Sequence, residues 1–367
     1  MREQEVKRLA LDEVHALYGA HFREEDGWRL PANYGDAEAE YASVRDLGAG
    51  LIDLSTRGRI HVTGSEALMF LNGLVTNDMK TLDENRWMPA VFPNVQGRIL
   101  AAVRIVRTTD RYLLDTESTT HDRVVKTIER FTLAGDFKVA DLTDSTTMLT
   151  VQGKSAKEVI KKIAGEAADL DQNCAREIQW RDQSLMLMRA THTAEDGFDL
   201  VVPTENATAL WDNLVEAGAR PTGYDALEIL RIEAGIQRFG RDMDETNVVT
   251  ETNLDHAISY TKGCYLGQEI IVRIKHRGHV AKKLTGLVCD RDVAIDPASS
   301  IQSEAGAEIG RITSATFSPA LNRTIALAYV KYKFLDPGTT VRVSSSAGQV
   351  TLTVSELPFV HGSWHAQ

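Results

Sequence analysis

The sequence predicts an α+β fold, with largely antiparallel sheets carrying helices on one face, followed by an all-β C-terminal unit. Three observations lead there. Strand-like runs are joined in many places by short turns rather than by helical crossovers, which favours antiparallel pairing over a doubly wound sheet. Amphipathic helical spacing recurs between these strand pairs as far as about residue 280. From about Lys283 onward that spacing vanishes and short alternating runs take over.

Taken in order, Arg59 to Val62 reads as a short strand and Gly64-Ser65 as a turn. Ser65 is a candidate N-cap for a helix lined by Leu68, Phe70, Leu71 and Leu74. Arg98 to Val106 and Arg111 to Leu114 suit neighbouring strands around a turn at Thr108 to Asp110, and Val124, Val125, Ile128 and Phe131 mark a helix. The pattern recurs with strands near 137 to 142 and 146 to 151, then a helix through Val159, Ile160 and Ile163. Strands near 176 to 190 and 197 to 202 precede a helix through Leu210, Trp211 and Leu214. The helix through Leu227 and Leu230 stops at Gly235. Beyond it, Leu284 to Val288, Ile325 to Val330, Thr340 to Ser344 and Val350 to Val354 are evenly spaced strands, the last two around a turn containing Ala347-Gly348. Such spacing suggests a small β-barrel. The expected division is a core over 1–280 and a barrel over 281–367.

The chain has 367 residues, 43% hydrophobic and 25% charged, which excludes intrinsic disorder and stapled miniproteins. Three cysteines, Cys174, Cys264 and Cys289, are too few and too scattered for a disulfide framework, and no C-x-x-C pair exists, so a reducing compartment is expected. The N-terminal run has no apolar signal region, and no stretch reaches about 18 consecutive apolar residues, so a cytoplasmic protein without membrane contact is expected. With 41 basic and 52 acidic side chains the net charge is -11, which argues against a general nucleic-acid coat but not against one local basic site.

The densest unusual segment is Thr261-Lys262-Gly263-Cys264-Tyr265-Leu266-Gly267-Gln268-Glu269, leading into Ile270-Ile271-Val272-Arg273. Its glycines permit sharp turns or close approach, and Lys262 is placed to stabilise a Cys264 thiolate if the two side chains converge. The plainer alternative is a glycine-bearing connection with an inert cysteine. Arg273, Lys275, Arg277, Lys282 and Lys283, with His276 and His279, form an acid-free basic run suited to a folate carboxylate tail or an RNA phosphate, or else a solvated strand face and loop. His276-x-x-His279 lacks the further ligands a metal would need. Glu195, in Ala194-Glu195-Asp196-Gly197-Phe198-Asp199, has the paired oxygens to hold an amino-pyrimidine edge, or sits in a polar hairpin. Arg231 points into a site or pairs with Glu228 or Glu233. No dinucleotide fingerprint, phosphate loop or G-x-S-x-G elbow is present, so nucleotide hydrolysis and serine-hydrolase chemistry have no support.

These segments, in this order, resemble the glycine-cleavage T-protein (aminomethyltransferase) superfamily, and within it the YgfZ-type folate-binding proteins. The resemblance runs through Leu51-Ile52-Asp53-Leu54-Ser55, Phe70-Leu71-Asn72-Gly73-Leu74-Val75-Thr76-Asn77-Asp78, Asn94-Val95-Gln96-Gly97-Arg98, Glu195 to Phe198, Arg231 to Gly235, and Lys262 to Arg273. It implies a cloverleaf of two interleaved α+β domains around a folate pocket, with a C-terminal barrel. It also implies tetrahydrofolate or a derivative as the bound cofactor. By position, Glu195, Arg231 and Asn94 look like folate-binding residues, and Lys262 with Cys264 looks like the YgfZ-type signature pair, for which a catalytic or redox role is expected. On this reading Cys264, Glu195 and Arg231 should line one cavity.

One departure matters. Aminomethyltransferases carry an Asp pair after the Asn-x-x-Gly-Gly segment, and the matching stretch here ends in Ala101 and Ala102. A methyl group neither accepts a proton nor stabilises a developing cation. The expected function is therefore a tetrahydrofolate-binding accessory protein supporting iron–sulfur enzyme maturation and tRNA modification, without glycine-cleavage activity. Its expected partners are folate and iron–sulfur enzymes or assembly proteins. The alternatives are a tetrahydrofolate-dependent aminomethyltransferase or demethylase, with Asp78 or Asp242 standing in for the missing acids, and a non-folate scaffold whose basic run binds RNA or protein.

Overall fold

The computed structural model describes residues 6–130, 135–345 and 348–366. Phe131 and Ala347, named above for a helix and a turn, lie outside them. The larger sheet has six strands in the order Ala175–Trp180, Gln183–Arg189, Gly197–Pro203, Thr146–Gln152, Gly50–Asp53 and Arg220–Pro221, all antiparallel except the last pair. A five-stranded antiparallel sheet runs Arg86–Pro93, Ile99–Arg107, Arg111–Thr116, Gly58–Thr63 and Lys138–Asp141. Because Gly50–Asp53 pairs with Thr146–Gln152, the whole five-stranded unit is inserted between two neighbouring strands of the larger sheet. The two units are thus interleaved in sequence, as the resemblance implied.

Each sheet has helices on its outer face. Ala156–Ala164 buries Ala156, Val159 and Ile160, spaced by three and four residues, in the same core as Leu149, Leu187 and Trp211 of the larger sheet and its second helix. Ser118–Glu129 likewise buries Thr120, Val124 and Ile128, the last two in the core of the five-stranded sheet with Ile60, Val103 and Leu114. The inner faces meet through Ile52, Val106, Leu113, Met148, Met188 and Val201. A closed antiparallel barrel follows, ordered Lys282–Val288, Arg323–Lys331, Glu308–Ser318, Ser300–Gln302, Thr340–Ser345 and Gly348–Ser355. A small sheet of Lys7–Arg8, Trp28–Asn33 and His21–Glu25 completes the fold. Among the described residues no helix is long and apolar enough to cross a membrane.

Several local expectations are corrected. Ser65 does not cap a helix: its N–H and hydroxyl both donate to Asp136, and the helix starts at Ala67 without a side-chain cap. The run 176–190 is two strands, broken where Arg181 and Asp182 both take positive φ. The strand Glu308–Ser318 escaped the apolar pattern because its pairing shifts between Ile312 and Ser314, which interrupts the alternation. The first part of the basic run, for which a strand face and loop is one of two readings, lies instead in a helix, Gln268–Arg277.

Burial on the inserted sheet also sets a pH dependence. Desolvation, with Arg111 nearby, lowers the pKa of His61 from 6.5 to about 4. The folded state therefore stays neutral at this position while the unfolded chain takes up a proton near pH 6.5, so acidification through that interval destabilises the fold. After discounting for partial solvent screening, urea unfolding at pH 5 compared with pH 7 should show a loss about 1 kcal/mol larger for the native chain than for His61→Gln. Equal losses would place the pH sensitivity elsewhere.

Candidate functional site

Where the two inner faces meet helix Tyr224–Glu233, charged side chains interrupt otherwise apolar strands. Arg104 lies on Ile99–Arg107 and stands in register opposite Asp115 of the next strand. The Arg104 Nε donates to Asp115 at 2.7 Å, and its Nη2 lies 2.6 Å from Asp199 of the larger sheet, so one guanidinium ties the two sheets together. Arg57 adds a bidentate pair to Asp115 at 2.6 and 3.1 Å and a bond to Glu117 at 2.6 Å. The His192 Nε2 sits 3.0 Å from Asp199.

The electrostatics of this cluster are one-sided. Burial raises the Asp115 pKa, but Arg57 and Arg104 outweigh it and hold the carboxyl below the usual range. The same balance, burial overcome by His192 and Arg104, holds Asp199 far below. Burial is overcome by Arg57 and Arg238 at Glu117, and by Arg231 and Arg238 at Glu228. All four carboxylates stay ionised at neutral pH, so they can accept hydrogen bonds and balance cations but are not poised to exchange protons.

Beside this network lies a cavity of about 80 Å³, lined by Thr56, Arg57, Glu117, His192, Tyr224, Glu228 and Arg231 among others. A groove of about 590 Å³ adjoins it, with Ile236 and Gln237 common to both linings. Its walls come from the core, the barrel strand with Lys283 and Leu284, and the tail residues Trp364 and His365.

The five residues expected to form the site separate into three places. Arg231 reaches the central cavity, but its five N–H donors are engaged by Glu228 twice, Asp242, the Ile236 carbonyl and Ser314. It thereby ties its helix to the barrel. Glu195 lines neither cavity nor groove: one oxygen accepts from Arg45 at 2.6 Å and the other from the Ser363 backbone and hydroxyl, locking the C-terminal tail. Asn94 closes a tight turn, its Oδ1 accepting from the N–H groups of Gln96 and Arg98. Lys262 and Cys264 lie beside that turn, where Gly267 abuts the Asn94 carbonyl. Cys264, Glu195 and Arg231 therefore do not line one cavity.

The expectation that Lys262 activates Cys264 also changes. Burial pushes the Lys262 amine down to about 8, with Asp78 working against it. Its Nζ donates to the carbonyls of Asn72, Val75 and Asn77 at 2.6, 2.7 and 2.7 Å. The Asn72 and Val75 carbonyls belong to the last turn and C-cap of helix Ala67–Leu74 and that of Asn77 to the segment just after it, so Lys262 works as a C-terminal cap reached from a distant loop. The Cys264 thiol is free and exposed. Asp78 caps the short turn after that helix, and Asp242 is bound by Arg231, Thr313 and Ser314, so neither stands in as a free acid. Among the described residues no cluster of His, Cys, Asp and Glu suits a metal ion.

Sequence reasoning missed Arg57, Arg104, Asp115, Glu117, His192 and Asp199. A signal was present: a charged residue inside a hydrophobic strand, such as Arg104 in Ile-Leu-Ala-Ala-Val-Arg-Ile-Val, is expensive to bury without partners and marks an internal network.

Residues 11–262 match the GCVT N-terminal domain family, and residues 282–361 match the glycine cleavage T-protein C-terminal barrel domain. The chain belongs to the glycine cleavage T-protein family. Similar chains named aminomethyltransferase include those of Caldanaerobacter subterraneus, 28% identical with 92% of this chain and 91% of that one covered, and of Thermotoga neapolitana, 29% identical with 98% and 99% covered. The aminomethyltransferase of Alcanivorax borkumensis is 30% identical, with 88% of both chains covered. Among solved structures, the glycine cleavage system aminomethyltransferase T from Bartonella henselae superposes with a TM-score of 0.91, at 26% identity over 97% of this chain and 98% of that one. The interleaved sheets and closed barrel are thus the T-protein-family architecture.

Proposed function

We propose that this T-protein-family chain binds tetrahydrofolate at the central cavity and adjoining groove, and that it does not perform the transfer step of glycine cleavage. The residues fit such a ligand. Glu228, Tyr224 and His192 offer polar partners to a pterin edge, while Lys283 on the groove wall offers a cation to a glutamate tail. The central volume is small beside the roughly 300–1,000 Å³ of enclosing ligand pockets, so it takes the ring edge and the groove takes the remainder. When bound, a reduced folate supplies a ring nitrogen able to carry a one-carbon unit.

The observation that carries the proposal is the strand Ile99–Arg107. Ala101 is buried in the sheet core and Ala102 packs beside Val91 and Phe239, so the positions where the resemblance places an acid pair hold methyl groups. The network carboxylates Asp115, Glu117, Asp199 and Glu228 are held ionised by arginine or histidine. Binding without transfer leaves an accessory role, and the exposed Cys264 supports one in which this protein serves iron–sulfur enzyme maturation and, through such enzymes, tRNA modification. A second reading, transfer or demethylation of another small methylated or aminomethyl compound, is favoured by near full-length similarity to chains named aminomethyltransferase.

Calorimetric titration tests the binding. Tetrahydrofolate should bind saturably, and Glu228→Gln should weaken it by about 10- to 100-fold, the loss of a charge-assisted acceptor. Absence of saturable binding by the folded protein overturns the proposal. Turnover of methylamine donors with tetrahydrofolate would move the conclusion to the second reading.

A further inference from the structure

We propose that His192, oriented by Asp199, is a general base in the central cavity. The inference rests on that cavity holding folate, and it supplies the proton acceptor that the second reading, transfer from an aminomethyl compound, requires. The positions of the glycine-cleavage acid pair remain alanine, so a different group is at issue.

Elimination points to this residue. The other ionisable groups lining the cavity are Arg57, Glu117, Tyr224, Glu228, Arg231 and Arg238. Burial works to raise Glu117 and Glu228, but Arg57 and Arg238 at the first and Arg231 and Arg238 at the second hold both ionised. Burial works to lower the three arginines, but the carboxylates of Asp115 and Glu117 at Arg57, of Asp242 and Glu228 at Arg231, and of Glu117 and Glu228 at Arg238 outweigh it and keep them charged. Burial, with Asp53 adding to it, pushes the Tyr224 hydroxyl up, and that hydroxyl donates to the Asp53 carbonyl at 2.8 Å. None of these groups exchanges a proton near neutral pH. Histidine ordinarily does, between pH 5 and 8.

The fold presents His192 for this role. It lies in the link between strands Gln183–Arg189 and Gly197–Pro203, where its backbone N–H donates to Gln152 Oε1 at 2.9 Å. Asp199, fully buried on the second of those strands, faces the ring with both oxygens, 3.0 and 3.1 Å from Nε2. An ionised carboxylate only accepts, so in the neutral imidazole Nε2 carries the proton and the lone pair falls on Nδ1. Nδ1 has no hydrogen-bond partner among the described residues, and the side chain keeps 18% exposure. A base held by a buried carboxylate, its free nitrogen open in a ligand cavity, is the arrangement that activates nucleophiles. Because Arg104 lies 2.6 Å from Asp199 and keeps it ionised, a proton taken up stops on His192 and is stabilised there by the adjacent negative charge.

The step balances without an oxidant. As a ligand nitrogen forms its bond to the methylene carbon of an aminomethyl donor, His192 Nδ1 takes that nitrogen's proton. The donor's amine leaves with the electron pair of the broken C–N bond and takes the proton back, returning His192 to its neutral form.

Two measurements on the full chain test this. In NMR spectra of nitrogen-15-labelled histidine with tetrahydrofolate bound, His192 at pH 8 should carry its proton on Nε2, and Asp199→Asn should move its titration to lower pH, because a stabilising anion is gone. With tetrahydrofolate and bis(dimethylamino)methane as donor, the rate above the protein-free reaction should rise with pH through that same titration. His192→Gln should lower kcat by about 100-fold or more, with a loss of tetrahydrofolate affinity of less than about tenfold. Absence of tetrahydrofolate binding overturns the folate reading and this proposal together. Binding with Nδ1 protonated at pH 8, binding without turnover, or turnover that His192→Gln leaves intact overturns this proposal and leaves the folate reading standing.

Discussion

Arg45→Met should destabilise the protein by about 3–5 kcal/mol, the range seen when one member of a buried charge network is removed. Arg45 bonds Glu195 at 2.6 Å and Glu233 at 2.7 Å, and all three are nearly inaccessible to solvent. Glu233 also accepts from Tyr41 and from Ser318 of the barrel, and Glu195 from Ser363 of the tail. One guanidinium therefore neutralises two carboxylates that hold the larger sheet, helix Tyr224–Glu233, the barrel and the C-terminal tail together. Methionine keeps much of the volume but leaves both charges uncompensated in a low-dielectric interior. Urea denaturation measures the loss. Adding Glu195→Gln to Arg45→Met should restore part of it, because one orphaned charge is gone. A loss below about 1 kcal/mol for Arg45→Met would show that the network contributes little to stability.

Ala101→Asp and Ala102→Asp should part sharply, although the residues are neighbours. Successive side chains of a strand face opposite ways. Ala101 is fully buried in the apolar core with Ile60, Leu71 and Phe92, so an aspartate there is an unpaired charge and should cost roughly 3–5 kcal/mol, enough to unfold much of the population. Ala102 shares its face with Arg104, which stands two residues along at the edge of the central network. Ala102→Asp finds a cationic neighbour at about 7 Å Cα spacing and should fold with a loss of about 1 kcal/mol or less. Thermal melts of the two variants decide it; similar melting temperatures would mean that the strand's facing is misassigned.

Much of the architecture was legible because periodicity is a local property. The spacing of Val159 and Ile160, or of Leu210, Trp211 and Leu214, reports which side of a helix meets a core, whatever that core is made of. The change of pattern after Lys283 reports strands for the same reason. What failed to show was anything depending on partners distant in sequence. Glu195 and Arg231 were expected as folate-binding residues, and what the structure adds is their engagement with Ser363, Arg45, Asp242 and Ser314, between 11 and 168 residues away. Lys262 was read with Cys264, two positions off, whereas its amine closes a helix about 190 residues upstream.

The sequence by itself determined the α+β class, the barrel-like character of the final segment and the presence of alanine at 101 and 102. These rest on local periodicity and residue identity, and no packing arrangement can turn a methyl group into a carboxylate. Only the tertiary structure decided which charged groups share a cavity, because a buried charge is governed by the counter-charges that folding brings to it. By that rule Arg104, Asp115 and Asp199 became the charged link between the two sheets, while Lys262 became a helix cap, and Cys264 was left on an exposed surface.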